Sequence, residues 1–479
     1  MTTFPITVSR LSGPYLAAAS ALVLAACASL PPAQSARVAK APEAYETTQT
    51  LAAPTADWPA DAWWSAYGDT QLNALEDEAL KGSPSLAAAE ARLRRAQSLV
   101  TQAKAADLPH IGAGADVNEA KQSYNLGIPA QFVPQGYNDY GRLALDASWE
   151  LDFFGKNRAA VAAATSEAKA AQADAAQARL TLSTAVASTY AELSRLYAQR
   201  DVAAEAVRLR QETSDLVAKR VANGLDTKAE SEQAAAGPPA SKAELSALDE
   251  QIALTRNALA ALIGAGPDRG LAITRPANAT IKPFGLPANL PANLIGRRPD
   301  VVAAKWRAEA AVSRTKQAKA AFYPDINLTG FIGVQSLYLN KLFSSGSDIG
   351  QVGPALRLPI FEGGALRAGL RGAEADRDAA VASYDGALTQ ALREVADVTA
   401  SEKALASRLS DARQALTANE NAYRIARLRY EGQLSTYQSV LLAEQSVLAQ
   451  RRVVADLESR AFALDIALVR ALGGGFTGA

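Results

Sequence analysis

The chain has 479 residues, 49 basic and 49 acidic side chains, and a single histidine, His110. Its length suits two or three ordinary domains or one large elongated one, and its balanced charge gives no basic excess that would indicate nucleic-acid binding. A single histidine is too few for most histidine-based acid–base chemistry or for a histidine metal site. We therefore expect neither an enzyme nor a cofactor.

The first segment has the pattern of an export signal. An apolar run at 15–27 follows Arg10; it is too short to span a bilayer comfortably but is typical of a signal-peptide core. The residues LAAC at 24–27 match the bacterial lipobox, so we predict a lipoprotein that carries a covalent lipid (palmitate) on Cys27. The alternative is an incidental cysteine after a signal peptide. Ala28, in place of an aspartate, is the pattern of lipoproteins sent to the outer membrane.

Nearly the same ten residues occur twice, as QAKAADLPHI at 102–111 and QAKAAFYPDI at 317–326, an offset of 215 residues (317 − 102). Further along the offset becomes 209 (367 − 158), which pairs Arg158 with Arg367. Matches that stay in register over most of each half predict one structural unit used twice. We divide the chain into a signal peptide at 1–26, a lipidated segment at 27–71, a first copy at 72–270, a linker at 271–294, and a second copy with a C-terminal tail at 295–479.

Each copy is predicted to begin with a helix and to continue with two strands. Ser83 and Pro84 are a good helix start, with an N-cap hydroxyl before a proline at the first helical position. After Pro109 the period changes to two, and the segment YGRLALDASWELDF at 140–153 alternates, with its leucines, Trp149 and Phe153 on one face and its charged residues on the other. The second copy repeats this pattern, so we expect polar loops at about 119–138 and 335–349.

Four strands are too few to close a barrel in a membrane, where the smallest barrels have about eight strands. In lipid every backbone polar group needs a partner, so strands from several copies of the chain must complete the sheet. The apolar face would then contact lipid, and the polar face would line a water-filled lumen. The predicted lumen-lining residues are Arg142, Asp146, Glu150, Asn327 and Arg357.

A long helix is predicted to follow the strands in each copy. Residues 158–222 contain neither proline nor glycine, which indicates a helix of about 100 Å with a narrow, alanine-rich apolar stripe. Residues 366–430 are similar. Tight turns then lead into return helices, as at 434–472. In the first return helix Gly237-Pro238-Pro239 removes two amide donors, so we expect an interruption near 236–240.

Three stretches carry a family resemblance: WWSAYGDTQL at 63–72, NLIGRRPDV at 293–301 and ALGGGF at 471–476. The chain resembles the TolC/OprM-like outer-membrane efflux proteins, especially their lipidated NodT-type branch, from about Trp58 to Phe476. The resemblance implies a mostly α fold with a membrane β-barrel. It comprises a long antiparallel helical barrel, or coiled-coil tunnel, and four strands per chain that contribute to a 12-stranded barrel in a homotrimer.

The resemblance also implies the function and the partners. We expect an outer-membrane, lipid-anchored channel that extends into the periplasm and exports small toxic compounds passively. It would act with a periplasmic adaptor (membrane fusion) protein and an inner-membrane RND-type pump. Two alternatives are the duct of a type I protein secretion system and a coiled-coil lipoprotein without a pore. The exported compound is not encoded here, because the resemblance implies that selectivity resides mainly in the pump.

In this family the gate lies where the helix hairpins converge, which corresponds here to about 220–233 and 429–445. The predicted constriction residues are Asp226, Glu230, Leu434, Tyr437 and Leu442. The alternative is that these residues only cap turns and pack helices. Relatives often place an aspartate where this chain has Leu442, with Glu444 nearby but displaced, so an apolar constriction competes with a charged one. For Arg297, Arg298 and Asp300 we favour a structural turn over a binding site.

Overall fold

A computed structural model of the chain describes residues 32, 35–125, 127–277 and 279–478. The predicted signal peptide and the lipidation site at Cys27 lie outside these residues. The described chain is mostly α-helical, with one four-stranded antiparallel sheet. It forms two compact units: unit 1 comprises 94–169, 305–383 and the described residues up to Val38, and unit 2 comprises 39–93, 170–304 and the described residues from Tyr384 on.

The helices and strands follow the same order in both halves as far as the return helix, which is divided in the first half and followed there by one more short helix. The elements of the first half are α1 (Thr70–Gly82), α2 (Pro84–Ala105), β1 (His110–Ala120), β2 (Asn138–Leu151), α3 (Lys156–Ala222), α4 (Lys228–Ala235), α5 (Gly237–Leu262) and α6 (Pro267–Leu271). Those of the second half are α7 (Leu290–Arg297), α8 (Pro299–Ala320), β3 (Asp325–Ser336), β4 (Asp348–Arg357), α9 (Ala365–Glu431) and α10 (Tyr437–Ala471). The predicted unit of helix, two strands, long helix and return helix is therefore present twice.

Unit 1 contains the sheet, whose strand order is β1-β2-β3-β4. The register places Leu145 opposite Ala113 on one side and opposite Ile332 on the other. Residues directly opposite each other in an antiparallel pair share one face of the sheet. The apolar residues of β2 therefore lie beside apolar residues of the neighbouring strands. Together they form one apolar face of the sheet.

The core of unit 2 contains the first of the three stretches. Trp63, Trp64 and Tyr67 are buried among leucines of α1 and α3, and the Tyr67 ring meets Phe462 edge-on at 4.8 Å. Asp69 is the N-cap of α1, since its side chain accepts hydrogen bonds from two backbone N–H groups of the first turn. This capping stabilises the helix that carries the core leucines.

The other two stretches meet beside this core. Arg298 is buried, and its guanidinium donates to Glu394 and Asp300 (both 2.6 Å) and to the carbonyl of Ala471 (3.2 Å). Gly473 has φ 90°, and a Cβ there would lie 2.0 Å from the carbonyl oxygen of Arg297. These contacts support the structural interpretation of Arg297, Arg298 and Asp300.

The long helices α3 and α9 each have 67 residues and run without a break. The first return helix is divided at Ala236, between α4 and α5, so the predicted interruption is confirmed. Pro238 and Pro239 lie in the first turn of α5, where a missing amide donor is tolerated. In the part of the chain that the structure describes, no helix is both long and apolar enough to cross a lipid bilayer.

Candidate functional site

Two helix turns, one between α3 and α4 and one between α9 and α10, have the same backbone geometry. The N–H of Leu225 donates to the carbonyl of Arg220 at 2.9 Å, and the same bond recurs 209 residues later at 2.7 Å. Each turn has one residue in the left-handed region, Gly224 with φ 71° and Gln433 with φ 63°. Both turns therefore end a long helix by a left-handed cap, although the left-handed residue of the second turn is Gln433 and not a glycine.

Three side chains join these turns to each other. Arg220 Nε donates to Asp226 Oδ2 at 2.8 Å, and the hydroxyl of Tyr430 donates to the same oxygen. Arg220 Nη1 also donates to the carbonyl of Tyr430 at 2.9 Å, and its guanidinium carbon lies 4.3 Å from the centre of the Tyr430 ring. We call Arg220, Asp226 and Tyr430 the turn clamp.

The turn clamp is largely shielded from solvent. The side chains of Arg220 and Asp226 are 11% and 8% exposed. Burial, with the neighbouring Asp226 carboxylate, raises the pKa of the Tyr430 hydroxyl above its ordinary value. The hydroxyl therefore stays protonated and continues to donate. A shielded ion pair that also makes further hydrogen bonds holds its geometry better than an exposed one.

Three of the predicted gate residues have identifiable contacts within the chain. Asp226 belongs to the turn clamp. Glu230 forms a capping box with Thr227, since its carboxylate accepts from the N–H of Thr227 at 2.8 Å and its own N–H donates to Thr227 Oγ1 at 3.3 Å. Tyr437 is buried and packs near the Tyr430 ring, with centroids 6.2 Å apart. Glu230 and Tyr437 thus stabilise the turns themselves.

The other two predicted gate residues, Leu434 and Leu442, are 71% and 54% exposed. Glu444, by contrast, is 2% exposed; it accepts from Thr213 Oγ1 at 2.9 Å and lies 3.4 Å from Arg210 Nε. Burial raises the pKa of Glu444, although the hydrogen bond from Thr213 and the charge of Arg210 oppose this shift. This carboxylate therefore faces helices of its own chain, while the two leucines are free to meet another surface.

Sequence reasoning missed Arg220 and Tyr430 as site residues. The sequence does mark Arg220, because it matches Arg429 in the internal repeat. The sequence does not mark Tyr430, since the first copy has Val221 at the equivalent position. Its role depends on a contact with a residue 204 positions away.

The register brings all the predicted lumen-lining residues onto one face of the sheet. Glu150 lies opposite Asn327 on β3, and Arg357 lies opposite Asp325 on the same strand. Asp325 and Asn327 are two residues apart, so their side chains lie on the same face of the sheet. Arg142 and Asp146 share the phase of Glu150 on β2, and they form an ion pair at 3.3 Å. The sheet is therefore amphipathic, with one apolar and one polar face.

These features define a class of protein: a duplicated helical-hairpin chain with an amphipathic four-stranded sheet and two clamped helix turns. The model of the family described as "Outer membrane efflux protein" matches residues 75–265 and 290–474. The chain belongs to this family, which comprises efflux proteins rather than enzymes.

Individual relatives are similar over most of the chain. The outer membrane protein VceC from Vibrio cholerae has a crystal structure that superposes with a TM-score of 0.83, at 47% identity, and covers 88% of this chain and 100% of that one. The multidrug resistance outer membrane protein MdtP from Escherichia coli (strain K12) is 30% identical over 91% of this chain and 90% of its own length. The fusaric acid resistance protein FusA from Burkholderia cepacia is 38% identical over 74% of this chain and 68% of its own length.

Proposed function

We propose that this protein is the outer-membrane channel of a tripartite efflux system, a passive duct through which small toxic compounds leave the cell. The observation that carries the proposal is the amphipathic sheet in a chain of the outer membrane efflux family. An apolar face suits lipid and a polar face suits a water-filled lumen. Relatives named for multidrug and fusaric acid resistance support a small-molecule cargo over secreted proteins.

The channel would be a homotrimer. Within the described chain β1 and β4 each pair on one side only, so the sheet has two free edges. A sheet in lipid must be closed, because unpaired backbone groups have no water to bond. Three copies of four strands would form a barrel of twelve strands, with Arg142, Asp146, Glu150, Asn327 and Arg357 lining its lumen.

The gate would lie at the clamped turns. The turn clamp holds the turn after α3 against the end of α9, so separating the two hairpins requires breaking its ion pair and hydrogen bonds. Leu434 and Leu442, which are exposed in the single chain, would form an apolar constriction with the copies from neighbouring subunits. Asp226, Glu230 and Tyr437 would act indirectly, by fixing the turns that carry the constriction.

The partners would be a periplasmic adaptor protein and an inner-membrane RND-type pump, which provides the energy that a passive duct lacks. A lipid on Cys27 would anchor the chain to the outer membrane. Support for these points comes from the lipobox pattern and from membership of the efflux family.

Two measurements test the function. Purified mature protein added to a planar lipid bilayer should produce discrete ion conductance, whereas a coiled-coil rod without a pore would produce none. A strain that lacks the gene should become more sensitive to a panel of toxic small compounds and should secrete its proteins normally. Normal resistance combined with the loss of one secreted protein would assign the chain to protein secretion instead.

A further inference from the structure

Unit 1 contains two surface grooves, one beside the start of each long helix. The first groove, about 440 Å³, is lined by Asp107, Trp149, Glu150, Leu151, Asp152, Phe153 and Arg158. The second groove, about 220 Å³, is lined by Phe322, Pro359, Ile360, Phe361, Glu362, Gly364, Leu366 and Arg367. We call them groove 1 and groove 2.

The two grooves occupy equivalent places in the internal repeat. Arg158 and Arg367 are related by the offset of 209 residues, and each is the third residue of its long helix. Asp107 and Phe322 are related by the offset of 215 residues, and they lie just after the equivalent helices α2 and α8. The chain therefore forms the same kind of groove twice, although the lining side chains differ.

Each groove has an exposed apolar wall where the strands give way to helices. Phe153 is 63% exposed and Phe361 is 88% exposed. Trp149 belongs to the apolar face of β2, and its indole N–H donates to the carbonyl of Asp107 at 2.9 Å. Aromatic side chains with one polar contact are typical of the boundary between hydrocarbon and headgroups. Groove 1 thus begins where the apolar face of the sheet ends.

Each groove also combines a cation with carboxylates. In groove 1, Arg158 donates to Asp152 through its Nε at 3.3 Å, and Asp107 Oδ1 is buried without a hydrogen-bond partner among the described residues. In groove 2, Arg367 and Glu362 are both among the lining residues. A guanidinium suits a phosphate, and a carboxylate suits an ammonium group. A headgroup that carries only negative charge would meet the carboxylates of both grooves unfavourably.

We propose that grooves 1 and 2 bind the headgroup of a zwitterionic aminophospholipid of the phosphatidylethanolamine class. The phosphate would lie at Arg158 or Arg367, the ammonium at Asp107 or Glu362, and the acyl chains against Phe153 or Phe361. The proposal rests on the proposed function, which places the apolar face of the sheet in the outer membrane. It adds that the chain selects the lipid at the edge of that sheet, at two sites in each subunit.

The test is native mass spectrometry of the mature, detergent-purified protein titrated with dioleoyl-phosphatidylethanolamine or with dioleoyl-phosphatidylglycerol. The wild-type protein should retain up to two phosphatidylethanolamine molecules per chain and bind phosphatidylglycerol at least several-fold more weakly. The double variant R158Q/R367Q should bind phosphatidylethanolamine about ten-fold more weakly, the loss expected when a charged hydrogen-bonding partner is removed. R314Q is the matched control, because Arg314 is an exposed, paired arginine of unit 1 outside both grooves.

A second variant separates binding from folding. Arg158 also bonds Asp152, whereas the Phe361 ring is almost fully exposed, so F361S removes one groove wall without disturbing a packed side chain. F361S should lower the number of retained phosphatidylethanolamine molecules from two to one per chain. Equal binding of the two lipids, or retention in R158Q/R367Q equal to that in R314Q, would overturn the proposal.

Conductance of the same preparations in planar bilayers keeps the two proposals apart. A wild-type protein that conducts but shows no lipid preference would overturn the headgroup sites alone. A wild-type protein that does not conduct would overturn the duct itself.

Discussion

The hydroxyl of Tyr430, at the end of α9, donates a hydrogen bond to Asp226 Oδ2 in the turn after α3, across 204 residues of sequence. Arg220 pairs with the same oxygen, so one carboxylate holds both hairpins. A contact of this kind resists separation of the two turns, which is the property that the proposed gate would use.

Removal of this hydroxyl should favour the open channel. We expect Y430F to shift the balance between closed and open states by about 1–2 kcal/mol per subunit, roughly ten-fold, because Asp226 loses a charge-assisted hydrogen bond. Single-channel recording measures the change as a higher open probability. The control is Y423F on the same helix, since none of the described hydrogen bonds joins that hydroxyl to the turn clamp. An unchanged open probability in Y430F would show that the turn clamp does not hold the gate.

Gly473 should tolerate no side chain. A Cβ at this position would lie 2.0 Å from the carbonyl oxygen of Arg297, and the φ of 90° is strained for any other residue. We expect G473A to unfold unit 2 or to destabilise it by about 4 kcal/mol or more, seen as loss of the folded protein from membranes. G372A is the matched control: Gly372 lies inside α9, near its N-terminal end, with open space around its Cβ, and the substitution should stabilise that helix by up to about 1 kcal/mol.

Glu76 should make the stability depend on pH. Its side chain is fully buried in α1, both carboxylate oxygens are without a hydrogen-bond partner among the described residues, and burial, followed by the charge of Asp77, raises its pKa from 4.5 to about 9. Between these pH values the folded chain keeps a proton that the unfolded chain releases. The free energy of unfolding should therefore fall as pH rises, by at most about 1.4 kcal/mol per pH unit.

The variant E76Q isolates this effect, because an amide does not ionise. It should melt at a higher temperature than the wild type at pH 8, and at nearly the same temperature at pH 4.5, in thermal unfolding of the detergent-purified protein. E90Q, at an exposed position in α2, should alter neither melting temperature. A shift of equal size at both pH values would contradict a buried, protonated Glu76.

Charge selectivity should distinguish a carboxylate that is proposed to line the lumen from one that is buried within its own chain. Asp146 lies on the polar face of the sheet with a side chain that is 52% exposed, so D146N should make the channel less cation-selective in reversal-potential measurements. Glu444 lies within its own chain, and E444Q should leave the reversal potential unchanged. A change caused by E444Q and not by D146N would place the selective carboxylates at the hairpins instead.

Much of the local structure could be predicted from residue patterns. The long helix expected at 158–222 is observed at Lys156–Ala222, and the interruption expected near 236–240 falls at Ala236. The alternation at 140–153 placed Arg142, Asp146 and Glu150 on one face, as the register has them. Proline, glycine and the period of apolar residues act over a few neighbouring positions, so the sequence exposes them directly.

The contacts of the candidate gate could not be predicted in the same way. Glu230 and Tyr437 are predicted constriction residues, with turn capping and helix packing as the alternative. The capping box of Glu230 with Thr227 is a local pattern, whereas the packing of Tyr437 near the Tyr430 ring and the burial of Glu444 against Thr213 are not. Which side of a helix faces a neighbour depends on how the hairpins pack, and no local pattern records it.

The sequence by itself determined the repeated unit, the period of each helix and strand, and the amphipathic character of the sheet, because these follow from residues a few positions apart. Only the tertiary structure decided that Tyr430 meets Asp226, that Gly473 lies against Arg297, and that Glu76 is sealed from water. Hydrogen-bond partners and burial depend on which distant segments pack together. That choice minimises the free energy of the whole chain and not of any one stretch.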